Sequence, residues 1–263
     1  MLDVRRSFLV SAILLLGFFP IAGQSSTGTG AVEVSGRVKI EGKLEKLTRK
    51  RFYLFPGGLE GNKDLVARIK AAEIVSRDCF YKGIKASDQF ICWLSAENCE
   101  SPFCRTITAD DVKIVPEFSA AYQKGLRLYG RKPSIAQLWL TTNLPAPFTS
   151  GFYNDREARI KEILGTRKSM QSSMTDTKSV KAVFIDIPLE PASSAEKVQF
   201  LISNLVPIEI GNKSYVWSCE VDVGPAKTAV VRLGVPENGK PVKDCDVSVK
   251  ELPVCKTGDC TQK

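Results

Sequence analysis

Ser194-Ala195-Glu196-Lys197 and Lys256-Thr257-Gly258 are the stretches whose residue types and spacing come closest to catalytic machinery. One helical turn separates Ser194 from Lys197, a distance at which an amine can take the hydroxyl proton and prepare an acyl-enzyme. That chemistry needs a third polar element between the two. The nearest candidate, Ser87-Asp88-Gln89, precedes both and ends in the wrong residue. Lys256-Thr257-Gly258 is also enclosed between Cys255 and Cys260, a poor setting for a long core strand. The acidic pairs Asp110-Asp111, Asp155 with Glu157, and Glu220 with Asp222 have the composition of a general acid and base. Acids near helix starts more often cap the helix or answer its dipole. Asp244 and Asp246 flank Cys245 and point away from the apolar face, which reads as a solvated strand face. Residues Gly36 to Lys43 end in Gly-Lys, but they are spaced one residue too widely for a phosphate cradle, and Leu44 stands where Ser or Thr is required.

The 263-residue chain contains no histidine. That removes Ser-His and Cys-His nucleophile pairs, the usual general base, and most catalytic zinc sites. No dinucleotide fingerprint occurs either, so no cofactor and no metal are expected. The enzymatic alternative that survives is a His-free hydrolase using carboxylates or a Ser-Lys pair.

Cysteine chemistry points to structure. The eight cysteines fall in two groups, Cys79, Cys92, Cys99, Cys104 and Cys219, Cys245, Cys255, Cys260, with no Cys-x-x-Cys pair. Without histidine, the common zinc-finger and haem-attachment spacings are absent. An even number in an exported chain reads as disulfides. Pairing within each group is the expectation, with small loops closed by Cys99/Cys104 and Cys255/Cys260. A Cys219–Cys245 bridge inside a sandwich, with Trp217 beside it, is also reasonable; the alternative pairs each with a tail cysteine. Export is read from Arg5 and Arg6, the apolar run Phe8 to Phe19, Pro20, and small Ala22 and Gly23. That order is a secretory signal over residues 1–23, and its apolar run is short for a membrane span. The expected location is secreted or periplasmic, with no transmembrane span in the mature chain.

Charge supplies the binding hypothesis. Residues 25–165 carry 22 Lys and Arg against 16 Asp and Glu, whereas residues 166–263 carry 13 against 12. Arg37, Lys39, Lys43, Lys46, Arg49, Lys50 and Arg51 lie in one predicted hairpin. Such density attracts an anionic polymer or surface. The binding candidates are Lys46, Arg49, Lys50 and Arg51, with Tyr53 as a contact. Outside the cytoplasm the partners are an anionic envelope polymer, an acidic glycan, lipid head groups or a protein, and not nucleic acid. The competing reading is a solvated hairpin whose charge discourages edge-to-edge aggregation.

The elements that must position these residues are mixed. After a flexible linker over 24–30, Val32, Val34, Val38 and Ile40 share one face at period two, with Gly36 in register, as one half-buried strand. Glu41-Gly42 reads as a turn and Lys50 to Phe55 as the returning strand. Helices are predicted over Asn62–Ser76, Pro116–Tyr129 and Asn154–Leu164, with a turn-rich first cysteine group between the first two. Residues 165–179 read as a linker. Beyond them Val183, Ile185 and Ile187, then Trp217 to Val223, then Cys245, Val247 and Val249 alternate as strands, with Asn238-Gly239 as a hairpin turn. The fold class is therefore α+β, mainly β and disulfide-stapled. A mixed α+β domain over 31–164 is followed by an antiparallel β-sandwich over 180–263.

The stretch Val235-Pro-Glu-Asn-Gly-Lys-Pro-Val-Lys-Asp-Cys-Asp-Val-Ser-Val249 resembles the strand–turn–strand of carboxypeptidase regulatory-like (transthyretin-like) sandwiches, where Gly-Lys-Pro-Val precedes a strand. Val34 to Lys43, ending in Gly42-Lys43, is a shorter echo. The family's later Thr-Asp-x-x-Gly-x-Phe segment is absent. The resemblance implies a non-catalytic β module on an exported or cell-surface protein and carries over no catalytic residue. The functional expectation is thus a non-catalytic binding or structural protein of the envelope or extracellular space.

Overall fold

The computed structural model describes residues 28–73, 75–189, 197–237 and 240–255. The signal segment, Ser194, Asn238-Gly239, Lys256-Thr257-Gly258 and Cys260 lie outside the described residues. The first strands are β1 (Thr29–Ser35), β2 (Arg37–Ile40), β3 (Lys43–Lys46) and β4 (Arg51–Pro56). A 3-10 turn, Glu60–Asn62, leads into α1 (Lys63–Ala71), α2 (Arg77–Gly83), α3 (Asp88–Ala96), α4 (Ala109–Ile114) and α5 (Pro116–Leu128). Next come α6 (Pro133–Leu138), α7 (Leu140–Asn143), α8 (Ala146–Thr149) and α9 (Gly151–Leu164). The chain then returns to strands: β5 (Gln171–Met174), β6 (Lys181–Pro188), β7 (Val198–Ser203), β8 (Ile208–Ile210), β9 (Lys213–Val223), β10 (Thr228–Arg232) and β11 (Cys245–Glu251).

The architecture is α+β in three layers. A smaller sheet has the order β10-β1-β6, with β1 parallel to β10 and antiparallel to β6. A larger antiparallel sheet has the order β11-β9-β7-β4-β5, with β8 added against β9. Val32, Val34, Phe184, Phe52, Phe200 and Trp217 join both sheets in one buried core. The Trp217 indole donates to the Gly234 carbonyl at 2.6 Å, so its polar edge is satisfied inside that core. Phe55, Leu201 and Val216 point to the other side of the larger sheet and pack on Leu65 and Ile69 of α1 and Ile163 of α9. The larger sheet is therefore buried on both faces. A separate helical core holds Tyr81, Phe90, Trp93, Phe118 and Phe152.

Several expectations need correction. The half-buried strand of residues 32–40 is two strands broken at Gly36, whose N–H donates to Val180 O at 2.8 Å. A Cβ there would lie 3.0 Å from that carbonyl, a tight approach, so the chain leaves the smaller sheet at a position where a side chain would crowd Val180. Glu41-Gly42 is the turn, but the returning strand is β3; β4 joins the larger sheet instead. The first cysteine group is turn-rich only in its second half: Cys79 and Cys92 lie on α2 and α3, capped by Ser76 and Ser87, and Cys99 and Cys104 lie in the turns that follow. The linker of 165–179 contains β5. Nor does the chain divide there into two domains, because β1 pairs with β6 and β10, and β4 pairs with β5 and β7.

The disulfides tie these layers together. Cys219 and Cys245 are direct cross-strand partners on β9 and β11, with Cα atoms 4.0 Å apart. The bridge thus joins neighbours within the larger sheet, not one sheet to the other. Cys99–Cys104 closes the expected small loop. Cys79–Cys255 crosses between the two groups, which overturns pairing within each group and the Cys255/Cys260 loop. Cys92 is not a free thiol. Among the described residues no helix is long and apolar enough to cross a membrane.

Candidate binding surface

The β2–β3 hairpin turns through Glu41 (φ 49°) and Gly42 (φ 84°), the positive-φ pair that a two-residue hairpin turn requires. Lys213 Nζ donates to Glu41 Oε1 at 2.6 Å and anchors the tip to the start of β9. Val38 and Ile40 point inward and are buried. In the antiparallel register Arg37 faces Lys46 and Lys39 faces Leu44, and directly opposed residues share one side of the ribbon. The outward side therefore presents Arg37, Lys39, Lys46 and the exposed Leu44. Among the described residues none of the three cations has a carboxylate within ion-pair distance. Like charges held directly opposite destabilise a ribbon.

After the hairpin the chain is clamped. Arg49 (φ 57°) donates its N–H to Thr175 O, and Lys50 donates its N–H to Thr175 Oγ1, both at 2.9 Å. The Lys50 ammonium donates to Glu100 Oε1, and Arg156 Nη1 of α9 donates to the same oxygen at 2.7 Å. A second Arg156 nitrogen donates to the Pro207 carbonyl. Tyr81 donates to the Glu100 carbonyl at 2.9 Å, so Glu100 is held through both its side chain and its backbone. Burial by itself would raise the Glu100 carboxyl. The Arg156 guanidinium and the Lys50 ammonium overcome it and hold the group down at about 2. Glu209, accepting the Arg77 N–H at 2.8 Å, is shifted the other way: burial raises it, against that hydrogen bond and the charges of Arg156 and Arg77.

Two adjoining cavities, of about 350 and 300 Å³, open along this segment and share Arg49, Lys50, Glu100, Tyr153 and Ile208. The five binding candidates are thus divided by role. Lys46 lies on the hairpin and lines the larger cavity, Arg49 lines both, and Arg51 and Tyr53 line the smaller one. Lys50 also reaches the cleft, but its charge is committed to Glu100 and its side chain is only 16 % exposed, so it is a structural residue. Glu100, Tyr153 and Arg156 were missed by the sequence reading. They come from a loop and a helix far along the chain, and no local spacing links them to residue 50.

The carboxylates weighed as acid–base pairs have structural employment. Asp111 forms a capping box with Thr108, and Asp110 pairs with Lys113. Asp155 pairs with Arg159. Glu220 Oε2 accepts the Leu59 N–H at 2.7 Å. Ser87 caps α3 and donates its hydroxyl to Glu117 at 2.7 Å. No protein-family model, no curated protein and no solved structure matches the chain.

Proposed function

We propose that this is an exported, non-catalytic binding or structural protein that holds an anionic polymer of the cell envelope or extracellular space on its β2–β3 hairpin. The observation that carries the reading is the unneutralised outward face, where Arg37 lies opposite Lys46 and Lys39 adjoins them. A polyanion laid across the ribbon relieves that repulsion, and Leu44 adds an aliphatic contact. Three disulfides among the described residues support a location outside the reducing cytoplasm. The resemblance of residues 235–249 to a non-catalytic sandwich module supports the same class.

The test is binding to immobilised polygalacturonate and polyphosphate across a salt series. The triple variant Arg37→Ser, Lys39→Ser, Lys46→Ser is the comparison, since these side chains are exposed and form no ion pair among the described residues. Salt-sensitive binding that weakens by about tenfold or more in the variant supports the reading. Equal binding by both proteins, or none by either, removes the hairpin as the working surface.

A further inference from the structure

We propose that the cleft between the start of β4 and α9 is a separate binding site for a small oxyanion carried on a ring. Its floor is the helix-facing side of the larger sheet, where Arg51 and Tyr53 of β4 lie beside Met174 of β5 and the residues after β7. Its wall is α9, which supplies Tyr153, Arg156 and Ile160. At about 300 Å³ it is at the small end of ligand cavities, suited to one substituted ring.

Three features define the ligand. Ile160, Val206 and Ile208 give the cleft an apolar surface, and the Tyr53 and Tyr153 rings flank it. A ring is the shape that covers such a surface without leaving polar groups stranded. Burial, the larger effect, pushes both phenols up, against the charge of Arg51 beside Tyr53 and, at Tyr153, a hydrogen bond with Ser101 and the charges of Arg156 and Arg49. Both phenols therefore remain protonated and able to donate to an oxyanion. Arg49 and Arg51 are exposed, and neither has a carboxylate within ion-pair distance among the described residues. The lining carries Arg49, Lys50, Arg51 and Arg156 against Glu100 and Glu157, an excess of positive charge. Because Lys50 and Arg156 are held on Glu100, Arg49 and Arg51 are the groups left to grip a carboxylate or phosphate with their planar forks.

Calorimetric titration with benzoate, glucuronate and phenyl phosphate, against acetate and inorganic phosphate, tests the site. The ring-bearing anions should bind about tenfold or more tightly than the bare anion with the same head group, and the best of the three identifies the source class. Arg51→Gln and Tyr153→Ala, both exposed positions, should each weaken that binding by about tenfold with an unchanged circular dichroism spectrum. The triple hairpin variant should bind these probes as the parent does. Three results would overturn the proposal: no advantage for the ring, no effect of either cleft substitution, or loss of binding in the hairpin variant.

Discussion

Lys50 and Glu100, fifty positions apart, form an ion pair with side chains only 16 % and 14 % exposed, and Arg156 completes it from α9. The triad joins the larger sheet to the helical layer at the edge of the cleft. Removing the acid leaves two cations without a counter-charge. Glu100→Gln should destabilise the protein by about 3–5 kcal/mol in urea unfolding at neutral pH.

The same carboxyl sets an acid limit. Its folded-state value of about 2 lies below the usual 4.5, so its contribution is fully present above about pH 4.5. It is lost as pH falls from there towards about 2, and amounts to about 3 kcal/mol. Urea midpoints measured between pH 6 and pH 2 should fall steeply over that window in the parent protein. In Glu100→Gln the fall should be shallower by that amount, and equal slopes would remove Glu100 as the source.

Asn62 occupies the N-cap position of α1, but its side chain has another role. Its side chain makes no cap hydrogen bond. The fully buried amide instead donates to the carbonyls of Pro56, Gly57 and Gly58 at 3.1, 2.8 and 2.8 Å, and its oxygen accepts from Arg167. It bridges the end of β4, the start of α1 and the chain after α9. Asn62→Ala removes the donor from the buried Gly58 carbonyl and from the part-buried carbonyls of Pro56 and Gly57, and should cost about 2–3 kcal/mol. Asn62→Asp removes the donors while keeping the size and should be no better, whereas a simple cap would tolerate Asp.

The contrast at Asn62 shows what was legible. Period-two alternation located β1, β9 and β11 because each has its apolar face towards the sandwich core, and α5 announced itself through Pro116 and an apolar stripe. In β6 it marked the wrong face: Val183 and Ile185 are exposed, while Ala182 and Phe184 are buried. Alternation does not encode partners. Nothing near Val32 signals that β1 lies between β6 and β10, which is why the sequence alone suggests a division into two domains. In α3, Phe90, Ile91, Trp93 and Leu94 share one face at helical spacing and are all buried, and Ser76 and Ser87 were usable start signals for α2 and α3, so these two helices were legible although the sequence reading did not place them. The basic cluster was visible as composition. Its division into an outward face, a cleft and a buried triad depends on register and on α9.

Gly58 and Glu220 depend on one another. A Cβ on Gly58 would fall 1.9 Å from Glu220 Oε2, the oxygen that accepts the Leu59 N–H. Gly58→Ala must displace that carboxylate from its donor and should cost about 1–3 kcal/mol. Glu220→Ala loses the hydrogen bond but opens the space. The double variant should therefore be more stable than the sum of the single losses implies, a coupling that urea unfolding of all four proteins would reveal.

The cross-linked topology makes the last prediction. Cys79–Cys255 closes a loop with a sequence separation of 176, whereas Cys99–Cys104 closes one of 5. If a disulfide acts mainly by restricting the unfolded chain, the long loop is worth about 5 kcal/mol and the short one about 2 kcal/mol. Cys79→Ser with Cys255→Ser should then lower the unfolding midpoint more than Cys99→Ser with Cys104→Ser. A non-reduced digest should yield a peptide joining Cys79 to Cys255. The reverse order of stabilities would mean that Cys99–Cys104 acts chiefly by shaping the loop that presents Glu100 to Lys50 and Arg156. The short-loop variant would then also lose the acid-limit behaviour of Glu100, and the long-loop variant would keep it.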